Sequence, residues 1–176
     1  MRLDKLTTKF QQAFADAQSL AVGRDNQFIE PVHLLLALLQ QEDGGTASLL
    51  SRAGVNVQRL REACTKAVER LPKVEGHAGE VQVSRDLSNL FNLTDKEAQK
   101  KNDQFIASEL FLLVLTNDKG EAGSMLKAAG GTRSAIEQAI TTVRGGETVE
   151  NAEAEGQREA LKKYTLDLTE RARAGK

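Results

Sequence analysis

Seven of the eight residues from Val32 to Leu39 are apolar, within the stretch "NQFIEPVHLLLALLQ" that runs from Asn26 to Gln40. A helix on the surface of a globular protein confines its apolar residues to a stripe roughly 100° wide and keeps the remainder polar. This segment has no polar side to turn outward. The pattern returns in "DQFIASELFLLVLTN", Asp103 to Asn117, where Leu110 to Leu115 are six apolar residues in succession. Both segments predict helices covered on several sides. Each is far shorter than the roughly 18 apolar residues needed to cross a membrane.

The two segments belong to a longer internal repeat. Setting Gln27-Phe28-Ile29 on Gln104-Phe105-Ile106 fixes an offset of 77 residues, which pairs Phe14 with Phe91, Ala21 with Ala98, Leu35 with Leu112, Leu36 with Leu113 and Leu38 with Leu115. After one deleted residue the offset is 76, pairing Leu50 with Leu126, Ala53-Gly54 with Ala129-Gly130, Leu60 with Ile136 and Ala63 with Ala139. Register held through four successive helices marks a duplicated unit.

Each copy parses into four helices by its punctuation. The first starts near Thr7, a hydroxyl able to cap free amides, carries Phe10, Phe14, Ala17 and Ala21 at helical spacing, and stops at Gly23. Pro31 is placed to open the next helix, Val32 to Gln40. A short helix follows from about Thr46 to Ala53, ending at Gly54. Asn56 then caps Val57 to Arg70, with Leu60, Ala63, Cys64, Ala67 and Leu71 on one face. The second copy predicts helices over roughly Ser84 to Lys101, Ser108 to Thr116, Glu121 to Ala128 and Thr132 to Arg144, closed by Gly145-Gly146. Between the copies, "LPKVEGHAGEVQV" reads as a loop. With only two prolines, aromatic residues at 4% and little β-type alternation, the expectation is an all-α fold of two tandem four-helix repeats related by a pseudo-twofold. The expected domain covers residues 1–146, with repeat 1 over about 6–71 and repeat 2 over about 83–146.

After Gly146 the composition changes. "GGETVENAEAEG" carries four glutamates and one sizeable apolar residue, Val149, too little to drive burial. Residues 147–156 are expected to form a flexible acidic linker, the twelve residues from Gly145 to Gly156 spanning roughly 20 Å on average as coil. Helical spacing resumes at Leu161, Tyr164 and Leu168, so residues 157–176 read as the opening helix of a further domain.

Charge and chemistry narrow the function. Twenty-four basic and 25 acidic residues leave a net charge of −1, without the long basic footprint of a nucleic-acid binder. The single cysteine, Cys64, suggests a reducing compartment, and "MRLDKLTTKF" lacks the apolar core of a secretory signal. A cytoplasmic protein is the expectation. There is no GxxxxGK[ST] phosphate loop, HExxH or paired-cysteine spacing, so neither metal nor nucleotide is expected on this chain. Cys64 with His33 or His77 would be the one conceivable nucleophile and base. Cys64 lies on an apolar helix face, His33 lies in an apolar run and His77 in a glycine-rich loop, which points to packing and solvation instead of catalysis.

The two copies of "QFI…LLLALL", the helix ends "RAGVN" and "AAGGT", and the tail "ALKKYTLDLTERARAGK" resemble the N-terminal Clp repeat domain of the Clp/heat-shock AAA+ unfoldases. "NQFIEPVHLLLALLQ", "RLPKVEG" and "DQFIASELFLLVL" resemble its disaggregase branch most. The resemblance covers nearly the whole chain. It implies a non-catalytic domain that captures unfolded or aggregated polypeptide and passes it to an ATPase ring. That ring, expected to be a hexamer, would begin near Gln157, bind ATP and Mg in domains outside this chain, and work with a DnaK-type chaperone system. The isolated domain is expected to be a monomer. Docking of adaptor proteins, as in the Clp unfoldases that feed proteases, is the alternative, and an inert helical spacer is the third reading.

The family's substrate-capture positions fall by resemblance on Thr7, Asp103 and Glu109, and its hydrophobic groove falls near Phe91, Leu93 and Leu110. Phe91 stands where the family more often has an aliphatic residue, and Ala107 where Ser is common as a cap, a role open to Ser108. Leu110 has two readings. It either closes the core or floors an apolar groove rimmed by Asp103 and Glu109.

Overall fold

The computed structural model describes residues 2–75 and 80–173, with side chains as far as residue 164; His77 lies outside the described residues. Repeat 1 contributes α1 (Thr8–Gly23), α2 (Pro31–Gln40), α3 (Thr46–Arg52) and α4 (Val57–Arg70). Repeat 2 contributes α5 (Arg85–Lys100), α6 (Ser108–Leu115), α7 (Glu121–Ala128) and α8 (Arg133–Arg144). The last helix, α9 (Ala154–Arg173), starts three residues ahead of the expected Gln157. No helix among the described residues is long and apolar enough to cross a membrane.

The repeat extends to the caps. Thr7 accepts from the Phe10 amide at 3.2 Å and its equivalent Ser84 from the Leu87 amide at 3.1 Å. Asn56 accepts from Arg59 at 3.1 Å and its equivalent Thr132 from Ala135 at 3.2 Å. Each such bond satisfies an amide that the helix cannot, typically worth about 1 kcal/mol. Even the turns that leave α1 and α5 agree: the equivalent residues Asp25 (φ 57°) and Asn102 (φ 60°) both adopt the left-handed conformation, which Asp and Asn tolerate best after glycine.

Short parallel pairings tie the copies together and define their symmetry. Strand β1 (Phe28–Ile29) pairs with β2 (Gln82–Val83), placing Ile29 beside Val83, and a separate bridge joins Leu6 to Ile106. The repeat register carries Leu6 onto Val83 and Ile29 onto Ile106, so each pair is the image of the other. The amide bonds are reciprocal too, Thr7 donating to the Ile106 carbonyl at 3.0 Å and Ser84 to the Ile29 carbonyl at 3.1 Å. Interchange of the halves in this way is what a twofold does. A simple translation would make one contact without its counterpart.

The core lies on that axis. The equivalent rings of Phe14 and Phe91 meet edge to face with centroids 5.8 Å apart, and Phe10 and Phe111 complete the cluster. α3 packs on α8 and α4 on α7, across the repeat boundary. In consequence every residue from Val32 to Leu39 and from Ser108 to Leu115 is buried, which explains two helices with no polar side. Burial of each Leu or Phe contributes about 1.5–3 kcal/mol.

Leu110 is fully buried in this core, so it does not floor an open groove. Phe91, in the aromatic cluster, is 3% exposed and does not line one either. Replacing Leu110 by Glu should therefore destabilise the fold by several kcal/mol, through burial of an unpaired carboxylate. Thermal unfolding of the variant checks this, with a fall in Tm of about 10 °C expected.

Candidate functional site

Asp103, Glu109 and Thr7 converge at the seam between the repeats, but they face inward. Asp103 follows the left-handed turn at Asn102, and its carboxylate receives Arg144 Nη1 at 3.0 and 2.9 Å. Arg144, in the last turn of α8, also donates through Nε to Glu109 at 3.1 Å, and Arg158 of α9 approaches Glu109 at 3.1 Å. The side chains of Asp103, Glu109 and Arg144 are 0, 4 and 8% exposed. Two carboxylates and two guanidinium groups balance here, so no acidic rim is presented to solvent at this place.

The glutamate-rich segment 147–156 covers this cluster instead of trailing away as the coil expected from its composition. The Val149 amide donates to Asp103 Oδ1 at 3.0 Å, and the Val149 carbonyl accepts from Gln104 and Phe105 at 2.8 and 3.2 Å. Thr8 donates to the Ala152 carbonyl at 2.8 Å, and Val149 itself is buried. The physical reason is a second use of a docking place already used by repeat 1. There Asn26, the equivalent of Asp103, donates to the Pro72 carbonyl at 3.2 Å and bridges to Lys73, while the Val74 amide donates to Asp25. Lys73-Val74-Glu75 in "PKVEG" and Thr148-Val149-Glu150 in "ETVEN" thus follow equivalent helices back onto the equivalent turns at Asp25-Asn26 and Asn102-Asp103, with different individual bonds. The shared Val-Glu is the sequence signal that reveals this docking, and it is easily lost beneath the glutamates.

Glu155, missing from the sequence-derived candidates, is the centre of the arrangement. Its carboxylate accepts from the Ser108 amide and hydroxyl, both at 3.1 Å, and from the Thr7 hydroxyl. Ala107 at the N-cap of α6 has no side chain to offer, so a residue nearly fifty positions downstream caps that helix while binding the capping threonine of α1. Two helix N-termini favour an anion at this point. Opposing them, the two arginines are already taken by Asp103 and Glu109, and the third carboxylate has no cation partner among the described residues. Burial, reinforced by the nearby charge of Glu109, pushes Glu155 up to about 7.

A different place offers accessible apolar surface. Leu93, on α5, is 47% exposed. It borders a cleft of about 310 Å³ whose apolar lining includes Pro31, Val32, Leu71 and Leu90 and whose rim carries Glu30, Asp86, Asp118 and Glu121. Arg70 pairs with Glu121 at 3.0 Å. Glu30 Oε1 is buried with no hydrogen-bond partner among the described residues. Of the sequence-derived candidates, Leu93 alone lies on open surface, while Thr7, Asp103, Glu109, Phe91 and Leu110 are interior.

The conceivable nucleophile and base do not meet chemically. Burial and the charge of Glu121 push the Cys64 thiol up to about 12, which holds it as an inert thiol. His33 accepts the Glu30 amide at Nδ1 and donates from Nε2 to Asn26 Oδ1, both at 2.8 Å, and burial lowers it to about 4. Both ring nitrogens serve the structure.

Duplicated four-helix units closed by reciprocal strand contacts define an all-α tandem-repeat domain. The sequence matches the Clp repeat (R) N-terminal domain over residues 5–129, and the chain belongs to that family. It is 51% identical to the chaperone protein ClpB of Vibrio cholerae serotype O1 over 176 residues, 100% of this chain and 20% of the relative. It is 48% identical to ClpB of Pseudomonas putida, over 100% of this chain and 21% of that protein. The chain thus spans about a fifth of the length of the curated relatives it matches. Among solved structures, the Hsp104 N-terminal domain from Candida albicans superposes with a TM-score of 0.75 at 20% identity, covering 86% of this chain and 99% of that one. The N-terminal domain of the ClpV1 ATPase from E. coli gives 0.69 at 21% identity, over 81% and 88%. Likeness at these identities concerns the fold.

The elevated Glu155 has a testable sign. A carboxyl whose folded pKa of about 7 lies above its ordinary value near 4.5 binds its proton more tightly when docked. Its contribution is greatest below the ordinary value and is lost as pH rises through 7, by up to about 1.4 kcal/mol per pH unit. The Ser108 amide, bonded to this carboxylate, should show an NMR shift titrating near pH 7, and Glu155→Gln should abolish the titration.

Proposed function

We propose that the chain is the substrate-capture domain of an ATP-dependent chaperone, binding unfolded or aggregated polypeptide and delivering it to an ATPase ring in the rest of the molecule. The domain itself performs no catalysis. In this reading ATP and Mg belong to that ring, a hexamer in the cytoplasm working beside a DnaK-type chaperone, and the family resemblance supports the arrangement. The observation that supports capture is the acid-rimmed apolar cleft at Leu93. An apolar side chain gains by leaving water there, flanking Lys or Arg residues meet the carboxylates, and the buried Glu30 oxygen offers a bond to an incoming N–H group. Leu93 supplies the exposed apolar side chain that an interaction site uses. In this reading Leu93 touches the polypeptide, while Thr7, Asp103, Glu109, Phe91 and Leu110 act on the fold and not on the polypeptide.

Docking of a folded adaptor is the second reading, favoured by the fixed arrangement of four rim carboxylates, which suits a preformed basic surface as well as a chain segment. Titration of the 176-residue chain with a permanently unfolded polypeptide, followed residue by residue by NMR, separates the two. Capture predicts shifts centred on Leu93, Leu90 and Glu30, and a loss of affinity of about tenfold or more on Leu93→Glu with an unchanged melting curve. Unfolded chains carrying Lys or Arg beside the apolar segment should bind more tightly than acidic ones, and added salt should narrow that preference. Shifts remote from the cleft, or equal binding by the Leu93→Glu variant, would refute the assignment.

A further inference from the structure

We propose that residues 147–158 form a strap whose docking on the repeat seam is a latch, closed by Asp103, Arg144, Glu109 and Glu155, that decides whether α9 is rigidly fixed to the repeats or tethered to them. Closed, the strap is held at its beginning by the Val149 amide on Asp103, in the middle by the Thr8 to Ala152 bond, and at its end by Glu155 and Arg158. α9 grows directly from Glu155 and Arg158 and therefore takes its direction from these bonds. Opened, the same residues become a polar chain long enough to let α9 swing by roughly 20 Å.

Three features mark the strap as separable from the core it covers. It leaves α8 through Gly145 and Gly146, both left-handed (φ 59° and 86°), at which an added Cβ would meet nothing within 4 Å. The hinge is thus unhindered by packing. Among residues 147–153 the single buried side chain is Val149, so little apolar surface opposes release. Finally, the polar contacts are imperfectly matched: Arg144 Nη2 and Arg158 Nη1 are buried without partners among the described residues, and Glu155 adds a third carboxylate beside a balanced pair of pairs. A buried network of this kind is weakened by an unmatched charge as well as by the loss of a matched partner.

Hydrogen exchange on the 176-residue chain tests the latch through amides whose partners lie across it: Thr8, Gln104, Phe105 and Val149. In the wild type these should exchange faster than the amides of α2 and α6 and slower than coil. Asp103→Asn, which takes the charge from Arg144's partner, should accelerate them at least tenfold with α2 and α6 unchanged. Glu155→Gln keeps an acceptor for the Ser108 amide and removes the surplus charge, and should slow them severalfold. The latch is overturned if wild-type strap amides exchange together with α2 and α6, since the strap is then an inseparable part of the fold. Coil-like exchange in the wild type, or acceleration of α2 and α6 in parallel with the strap in Asp103→Asn, overturns it equally.

Discussion

Everything in this fold depends on hiding two helices that have no hydrophilic side. α2 from Val32 to Leu39 and the whole of α6 are buried, and within a lone four-helix unit such a helix would leave a face against water. Duplication resolves this because a twofold brings each central helix against elements of the other copy. The requirement reaches down to single contacts. Phe14 meets its own equivalent Phe91, so the axis runs through a pair of aromatic rings, and the Leu6–Ile106 and Ile29–Val83 pairings sit at related places around it. Cross-repeat packing of α3 on α8 and α4 on α7 then makes the repeats one cooperative body.

Much of this was legible in the order of residues. The offset of 77 transfers α1 onto α5 residue for residue at both ends, Thr8 to Arg85 and Gly23 to Lys100. Caps and breakers located helix boundaries because they act on their nearest neighbours: a threonine bonds an amide three residues away whatever else the chain does. Leu93 and Leu110 show where that kind of reading stops. Both are leucines in amphipathic or apolar helices, and which one meets solvent depends on what the other repeat places over it. Periodicity within a helix carries no such information.

The docking of residues 147–156 is hidden from composition for a related reason. Composition describes how a segment behaves when it has only itself to pack on, and four glutamates correctly describe a chain unable to form a core. They say nothing of a slot already shaped by the repeat. Val149 enters that slot as a single apolar anchor, backbone bonds from Gln104 and Phe105 add to the hold, and the glutamates can stay outside or, for Glu155, find two helix N-termini. The Ser108 and Thr7 bonds to Glu155 join residues far apart in sequence, beyond the reach of any local capping rule.

The comparison of the two copies shows where they have parted ways. In repeat 1 the place that receives the exit segment is neutral: Asn26 bonds Pro72 and His33, and His33 is held uncharged by burial. In repeat 2 the equivalents of Asn26, Val32 and His33 are Asp103, Glu109 and Leu110. The amide of the neutral pair has become a carboxylate and its imidazole a leucine, a second carboxylate stands in the place of Val32, and Arg144 and Arg158 meet the two acids. A neutral network of short side chains is satisfied locally and little affected by neighbours. A charged one in a buried setting is strong when matched and costly when any partner withdraws, and one of its partners stands on α9. The symmetric scaffold therefore places a self-contained exit at one end and, at the other, an exit whose stability depends on the helix that follows it.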